Sequence, residues 1–253
     1  MKKVLITGAS GGIGLETARL LAAQNYQITL VARNGAKLDN AKANLVGTGH
    51  TVLVADLTNK EDLQKVINHL TAEKYDVLIN NAGAGIYGEF TDIPLPDQLS
   101  MMQLNMNALV TLSYSFLSNA VSGDALINIG SLLAHTSLPG GAVYAATKSF
   151  VANFSESLWF EFKKKGVFVT GFNPGAADSD FHANAGKQKS DFPEFVISSV
   201  KDVAKEIVKA LEKRQKPRVV QGWKNRFMLF GFRWLNRKAA VVIMGQISPG
   251  INK

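Results

Sequence analysis

The sequence predicts an α/β fold built on one doubly wound parallel sheet, on three observations. Short apolar or β-branched runs alternate with helix-length segments, the runs are apolar throughout, and a glycine-rich turn follows the first of them. Strands without polar alternation are buried on both faces, as in a parallel sheet covered by helices on each side. In such sheets ligands bind outside the carboxyl ends of the strands, so the residues just after each strand carry the functional reading.

Val4 to Thr7 reads as the first strand, and Leu15 to Ala23 as the helix that follows its glycine turn. Ile28 to Ala32, Thr51 to Ala55, Val77 to Asn80, Ala125 to Ile129 and Val167 to Phe172 read as the next five strands. Leu99 to Ser118 has helical periodicity, and Tyr144 opens another helical segment. The segment from Ala176 to Ser199 is expected to contain a lid. From Lys201 to Lys213 the spacing of Val203, Ile207, Val208 and Leu211 among charges predicts an amphipathic helix ended near Pro217.

With 253 residues, 46% of them hydrophobic, the chain can bury one sizeable core. One domain is expected over residues 1–220, followed by a basic, aromatic, amphipathic helical extension over 221–253. The absence of cysteine removes disulfides, thiolate catalysis and cysteine-rich zinc sites, and leaves the redox compartment open, with cytoplasm as the default. The opening apolar run is too short for a signal-peptide core or a membrane span. Residues 1–212 hold 18 Lys/Arg against 20 Asp/Glu, whereas 213–253 hold 10 basic residues and no acidic one. The high net charge therefore belongs to the tail, and a general nucleic-acid reading of it is excluded.

Thr7-Gly8-Ala9-Ser10-Gly11-Gly12-Ile13-Gly14 lies between strand and helix, the order a Rossmann-type dinucleotide site requires. Glycines let the backbone approach a pyrophosphate, and the helix N-terminus offers amide donors and a partial positive charge. The second strand ends Leu30-Val31-Ala32-Arg33 with no acidic residue to hold the adenosine ribose hydroxyls. Arg33 reads as a partner for a 2′-phosphate, hence NADP, against the plainer reading of a solvated arginine. Asp56, followed by Leu57, is placed either to accept from the adenine amino group or to cap the helix starting near Asn59.

Tyr144 and Lys148 stand four residues apart on one helical face. Alone the pair carries little. Ser131 lies just beyond the fifth strand, Asn105 falls within the run from Leu99 to Ser118, and Asn80-Asn81-Ala82-Gly83 follows the fourth strand. With these motifs the chain resembles the short-chain dehydrogenase/reductase family over roughly residues 1–220. The resemblance implies NADP binding by Gly8, Ser10, Gly12, Ile13, Gly14, Arg33, Asp56, Leu57, Asn81, Ala82 and Gly83. It adds Tyr144, Lys148, Pro174, Gly175 and Ser179 to that set. It also implies a catalytic tetrad of Asn105, Ser131, Tyr144 and Lys148.

Carbonyl reduction needs a proton at the developing alkoxide, and Tyr144 is the expected acid/base, its phenolate favoured by the Lys148 ammonium and by oxidised nicotinamide. Lys148 would also bind the nicotinamide ribose. Ser131 would polarise the carbonyl, and Asn105 would hold a water linking Lys148 to solvent, the alternative for Asn105 being a helix-kinking polar residue. His50, His69, His135 and His182 show no ligand spacing, so no metal is expected. His135 and His182 either border the substrate or are satisfied structurally.

Leu132, Leu133, Ser137, Leu138, Tyr87 and Phe181 are expected to line a largely apolar substrate side, fitting a hydrophobic ketone or 3-oxoacyl-type carbonyl or the matching alcohol. The tail from 222 to 245 is read as a helix packed on the domain or a partner copy, or as a peripheral membrane contact. A homodimer or homotetramer is implied by the resemblance. The competing function is a non-catalytic dinucleotide-binding sensor or membrane-surface scaffold.

Overall fold

A computed structural model describes residues 1–178, 181 and 197–251. Seven strands form one parallel sheet: β1 (Lys3–Thr7), β2 (Gln27–Ala32), β3 (Thr51–Val54), β4 (Val77–Asn80), β5 (Ala125–Ile129), β6 (Phe168–Asn173) and β9 (Arg218–Val220). Their order is β3-β2-β1-β4-β5-β6-β9. The order reverses between β1 and β4, which opens a crevice at their carboxyl ends. A separate pair, β7 (Ala176–Ala177) and β8 (Ile197–Ser198), joins the segments on either side of the expected lid, most of which lies outside the described residues.

Helices cover both faces. In chain order they are α1 (Gly12–Ala23), α2 (Gly35–Ala43), α3 (Lys60–Ala72), α4 (Leu95–Met102), α5 (Leu109–Ser118), α6 (Ala142–Lys163), α7 (Val200–Lys213), α8 (Trp223–Phe232) and α9 (Arg237–Gln246). Strand side chains alternate between faces, and the core divides accordingly. Val4, Ile6, Leu30, Ile79, Ile127 and Phe172 pack on the α1 and α7 side. Leu5, Val31, Leu78, Leu126 and Val169 pack on the side of α3, α5 and α6.

Five of the six expected strands are buried as the apolar runs predict. β3 differs: Thr51 and Val54 are exposed because it is the edge strand, so its apolar run covers only part of a face. β9 lies outside the expected strands, since a strand of three residues within the four between Pro217 and Gly222 leaves no periodicity to read. The helical run from Leu95 to Ser118 contains a π-turn at Gln103–Ala108, and Asn105 sits inside it. Such single-turn bulges kink a helix and cluster at functional sites.

Candidate active site

The site begins where β1 runs into α1. Gly8 holds a φ of +65° and Gly12 one of +54°, left-handed conformations that favour glycine. Gly11 caps α1 without a side-chain acceptor, so no side chain competes for the first-turn amides. The loop is fastened across the crevice: Thr7 Oγ1 accepts from the amides of Asn81 (3.0 Å) and Ala82 (2.9 Å), while Asn81 Nδ2 donates to the carbonyls of Thr7 (2.9 Å) and Gly8 (3.1 Å).

A cavity of about 470 Å³ runs from this turn across the carboxyl end of the sheet. Gly8, Ser10, Gly12, Ile13, Asn81, Ala82, Gly83, Pro174 and Gly175 line one end, and Ser131, Tyr144 and Lys148 stand at its middle. Glycine backbone, free first-turn amides, a hydroxyl and no carboxylate among the lining residues form a donor set that fits a pyrophosphate. Gly14 lies behind the lining, buried against Gly8 and Asn81.

Arg33 is exposed at the end of β2, outside the cavity, and Leu57 belongs to the core. Asp56 Oδ1 accepts from the amide (2.9 Å) and hydroxyl (2.7 Å) of Thr58. Burial works to raise its pKa, but those two bonds and the Arg33 charge together hold it below the usual carboxylate range. The cap of α3 is Asn59, whose side chain accepts from Asp62, so the capping alternative for Asp56 is corrected. Ser179 and His182 lie outside the described residues.

Ser131 is held by the end of the neighbouring strand β6: its amide donates to Asn173 Oδ1 (3.2 Å), and the next amide, of Leu132, donates to the carbonyl of Pro174 (2.7 Å), just beyond that strand. Sequence reasoning passed over Asn173, which is fully buried and fixes the serine loop. Tyr144 and Lys148 are almost entirely buried on the first turns of α6. Burial pushes the Tyr144 phenol up to about 12, against the opposing effect of its hydrogen bond with Ser131. Burial draws the Lys148 ammonium down to about 8; its Nζ donates to the Ile129 carbonyl (3.1 Å) and lies 5.9 Å from the Tyr144 ring centre. The phenol is thus in its proton-donating form at neutral pH.

Asn105 does not line the cavity. Its Oδ1 accepts from Ala84 N (2.9 Å), and its Nδ2 donates to Ala84 O (2.9 Å) and Thr147 Oγ1 (3.1 Å). Both side-chain protons are committed to tying the loop after β4 to α6, one residue from Lys148.

Tyr87, Leu132, Leu133, Leu138 and Phe181 line the far part of the cavity, and Tyr87 and Phe181 flank Tyr144 at ring separations of 5.7 and 6.0 Å. Ser137 is exposed and lines a neighbouring hollow instead. His135 faces Arg218 (3.3 Å), which also binds Glu156 (2.7 Å), a link between β9, α6 and the serine loop rather than a substrate contact. Among the described residues no group of three or more His, Cys, Asp or Glu could hold a metal ion.

The tail helices pack on the domain, as one reading of the tail expects, and form a roof whose lining residues lie outside the expected substrate side. Met228, Leu229 and Phe232 of α8, Met244 of α9, and Ile247 and Pro249 beyond it line the same cavity, as does Lys37 of α2. The spacing of Met228, Leu229 and Phe232 at i, i+1 and i+4 was the available signal, hidden by the apolar residues on the other face of the helix.

A family described as short chain dehydrogenase matches residues 2–190. A serine 3-dehydrogenase of Rhizobium radiobacter is 31% identical over 182 residues, 70% of this chain and 73% of the relative. A short-chain dehydrogenase from Sphingobium yanoikuyae, solved in complex with NADPH, is 30% identical with a TM-score of 0.83, covering 92% of this chain and 94% of that one. A bulky-bulky ketone specific alcohol dehydrogenase from Comamonas testosteroni is 26% identical with a TM-score of 0.78, covering 92% of each chain.

Proposed function

This chain belongs to the short-chain dehydrogenase/reductase family and is an oxidoreductase of that type, and we propose that it is an NADP(H)-dependent reductase of bulky, hydrophobic ketones or 3-oxoacyl-type carbonyls, or a dehydrogenase of the matching secondary alcohols. One observation carries the reading: Ser131, Tyr144 and Lys148 meet in a cavity that has a phosphate-binding cradle at one end and an apolar chamber at the other. The names of the Sphingobium and Comamonas neighbours support the cofactor and the bulky ketone respectively.

When bound, NADPH supplies the hydride that the carbonyl carbon accepts. Ser131 Oγ donates a hydrogen bond to the carbonyl oxygen, and the Tyr144 phenol delivers the proton that converts the developing alkoxide to an alcohol. Lys148 provides the positive charge beside the phenolate left behind and donates to the nicotinamide ribose. Asn105 acts as a positioning residue, through Ala84 and Thr147, and any water relay from Lys148 uses groups other than its side-chain protons. Gly8, Ser10, Gly12, Ile13, Asn81, Ala82, Gly83, Pro174, Gly175 and Ser179 would hold the dinucleotide, with Gly14 packed behind the cradle and Asp56 at the adenine end, where the Leu57 side chain turns into the core.

Residues 1–220 form the dinucleotide-binding domain in this proposal, and 221–253 the extension that roofs it. Exposed Leu99, Met102, Tyr114 and Phe160 on α4, α5 and α6 support a homodimer or homotetramer built on the helices that carry Asn105 and Tyr144. Cytoplasmic placement with peripheral membrane contact through residues 222–245 completes it. Among the described residues no helix is long and apolar enough to cross a membrane.

NADPH oxidation followed at 340 nm with hydrophobic ketones and 3-oxoacyl thioesters tests the reaction. NADPH binding without turnover on such a panel would return weight to a sensor. Arg33 tests the cofactor. It is exposed, and among the described residues no carboxylate forms an ion pair with it. Arg33→Asp replaces a charge-assisted contact with repulsion, so KM for NADPH is expected to rise by about 10- to 100-fold while that for NADH falls. Unchanged selectivity would remove Arg33 from the site.

A further inference from the structure

We infer that the outer face of the α8–α9 pair docks on an anionic lipid bilayer, so that the cavity takes its hydrophobic substrate from the membrane. The inference rests on the proposed reductase reading and extends it to where the substrate is found. The helix α8 is apolar on both sides. Met228, Leu229 and Phe232 face the cavity, and Phe232 and Met244 belong to the same apolar cluster as Tyr144. On the opposite side Trp223, Phe227, Phe230 and Trp234 are 57–80% exposed within twelve residues. A helix apolar all round is normally buried all round. Here the chain covers one face and leaves the aromatic one bare.

Charge decides what covers it. Lys224, Arg226 and Arg233 flank the aromatic face of α8, and Arg237 and Lys238 open α9, all exposed, and no carboxylate pairs with any of them among the described residues. The whole segment 213–253 carries no acidic residue. A second copy of this face would bring five cations against five, whereas an anionic headgroup layer neutralises them while the indole and phenyl rings enter the acyl boundary. The oligomer patch on α4, α5 and α6 lies on other elements, so the tail is not needed for it. Val241, Val242 and Ile243 on α9 and Ile247 just after it add further exposed apolar surface. Ile247 also lines the cavity, so the bilayer-facing surface and the chamber share a rim.

The test uses the full chain with phosphatidylglycerol/phosphatidylcholine vesicles and with pure phosphatidylcholine vesicles. Sedimentation with the anionic vesicles is expected, weakened by salt, with a blue shift of tryptophan emission. Two of the three tryptophans, Trp223 and Trp234, are exposed on this face, while Trp159 packs against the core. A Trp223→Ser, Phe227→Ser variant and an Arg233→Glu, Lys238→Glu variant are each expected to bind more than about tenfold more weakly. Both should keep turnover of a water-soluble ketone and lose turnover of a long-chain ketone dissolved in vesicles. Absence of vesicle binding, or binding untouched in both variants, overturns the docking. So does a wild-type self-association, without vesicle binding, that the variants dissolve, because the face would then belong to a second copy. Vesicle binding as expected without turnover of any ketone sinks the reductase reading and leaves the docking standing.

Discussion

Tyr144→Phe is expected to lower kcat by about 10²- to 10⁴-fold with NADPH affinity nearly unchanged, the range for loss of a positioned proton donor. The substitution removes one oxygen and keeps the ring. That ring is buried between Tyr87, Phe181, Leu138 and Met244, so the packing that shapes the cavity survives. What disappears is the donor opposite Ser131. Without it the alkoxide must take its proton from water, which the apolar walls exclude. Isothermal titration with NADPH and single-turnover oxidation at 340 nm separate binding from chemistry. A variant that binds NADPH and still reduces ketone at the wild-type rate would take the proton from another group and end the assignment.

The pH dependence follows from the same two side chains. Reduction consumes a proton and needs the phenol, whose pKa burial has raised to about 12, so the protonated form persists through neutral pH. Alcohol oxidation needs the phenolate and is expected to accelerate as pH rises. Lys148, drawn down to about 8 by burial, loses its charge above that pH in the cofactor-free protein. Cofactor affinity is accordingly expected to weaken on the alkaline side, while the Tyr144→Phe variant loses the rise in oxidation. A flat oxidation profile for the wild type would contradict the phenol's role.

The parts of this site that could be read from the sequence are those governed by local rules. A strand buried on both faces, a glycine that must turn or approach closely, and a Tyr-x-x-x-Lys face are short-range patterns. They were enough to bring Gly8, Ser131, Tyr144 and Lys148 to one cavity. Asn105 shows where such reading stops: its position was visible, but its commitment to Ala84 and Thr147 depends on a π-turn and on how the loop after β4 crosses α6. The roof was illegible for a related reason. α8 is apolar on both faces, and only tertiary docking tells the chamber side from the outer one. Asn173 and β9 likewise take their roles from strand neighbours distant in the chain.

Gly14→Ala is expected to weaken NADPH binding by about 10- to 100-fold and to lower Tm, because overpacking a tight contact costs about 1–3 kcal/mol. Backbone conformation is not the cause, since Gly14 is ordinary helix. Space is. A Cβ there would lie 2.5 Å from the Gly8 carbonyl oxygen, 2.6 Å from Asn81 Nδ2 and 3.1 Å from Ala9 Cα. None of these can swing aside as a free side-chain end would: the carbonyl is fixed by the turn, and Asn81 is held by its bonds to Thr7 and Gly8. Relief requires α1 to move away from the loop, which opens the cradle and withdraws the first-turn amides from the phosphates. The neighbouring Gly11 supplies the contrast within the same motif. Its φ is −175°, and a Cβ would meet nothing within 4 Å, so Gly11→Ala is expected to leave the Tm of the cofactor-free protein unchanged. Thermal melts and NADPH titration of the two variants side by side make the comparison. If both melt like the wild type and Gly14→Ala binds NADPH normally, the close approach of α1 to the β4 loop is not what forms the dinucleotide cradle.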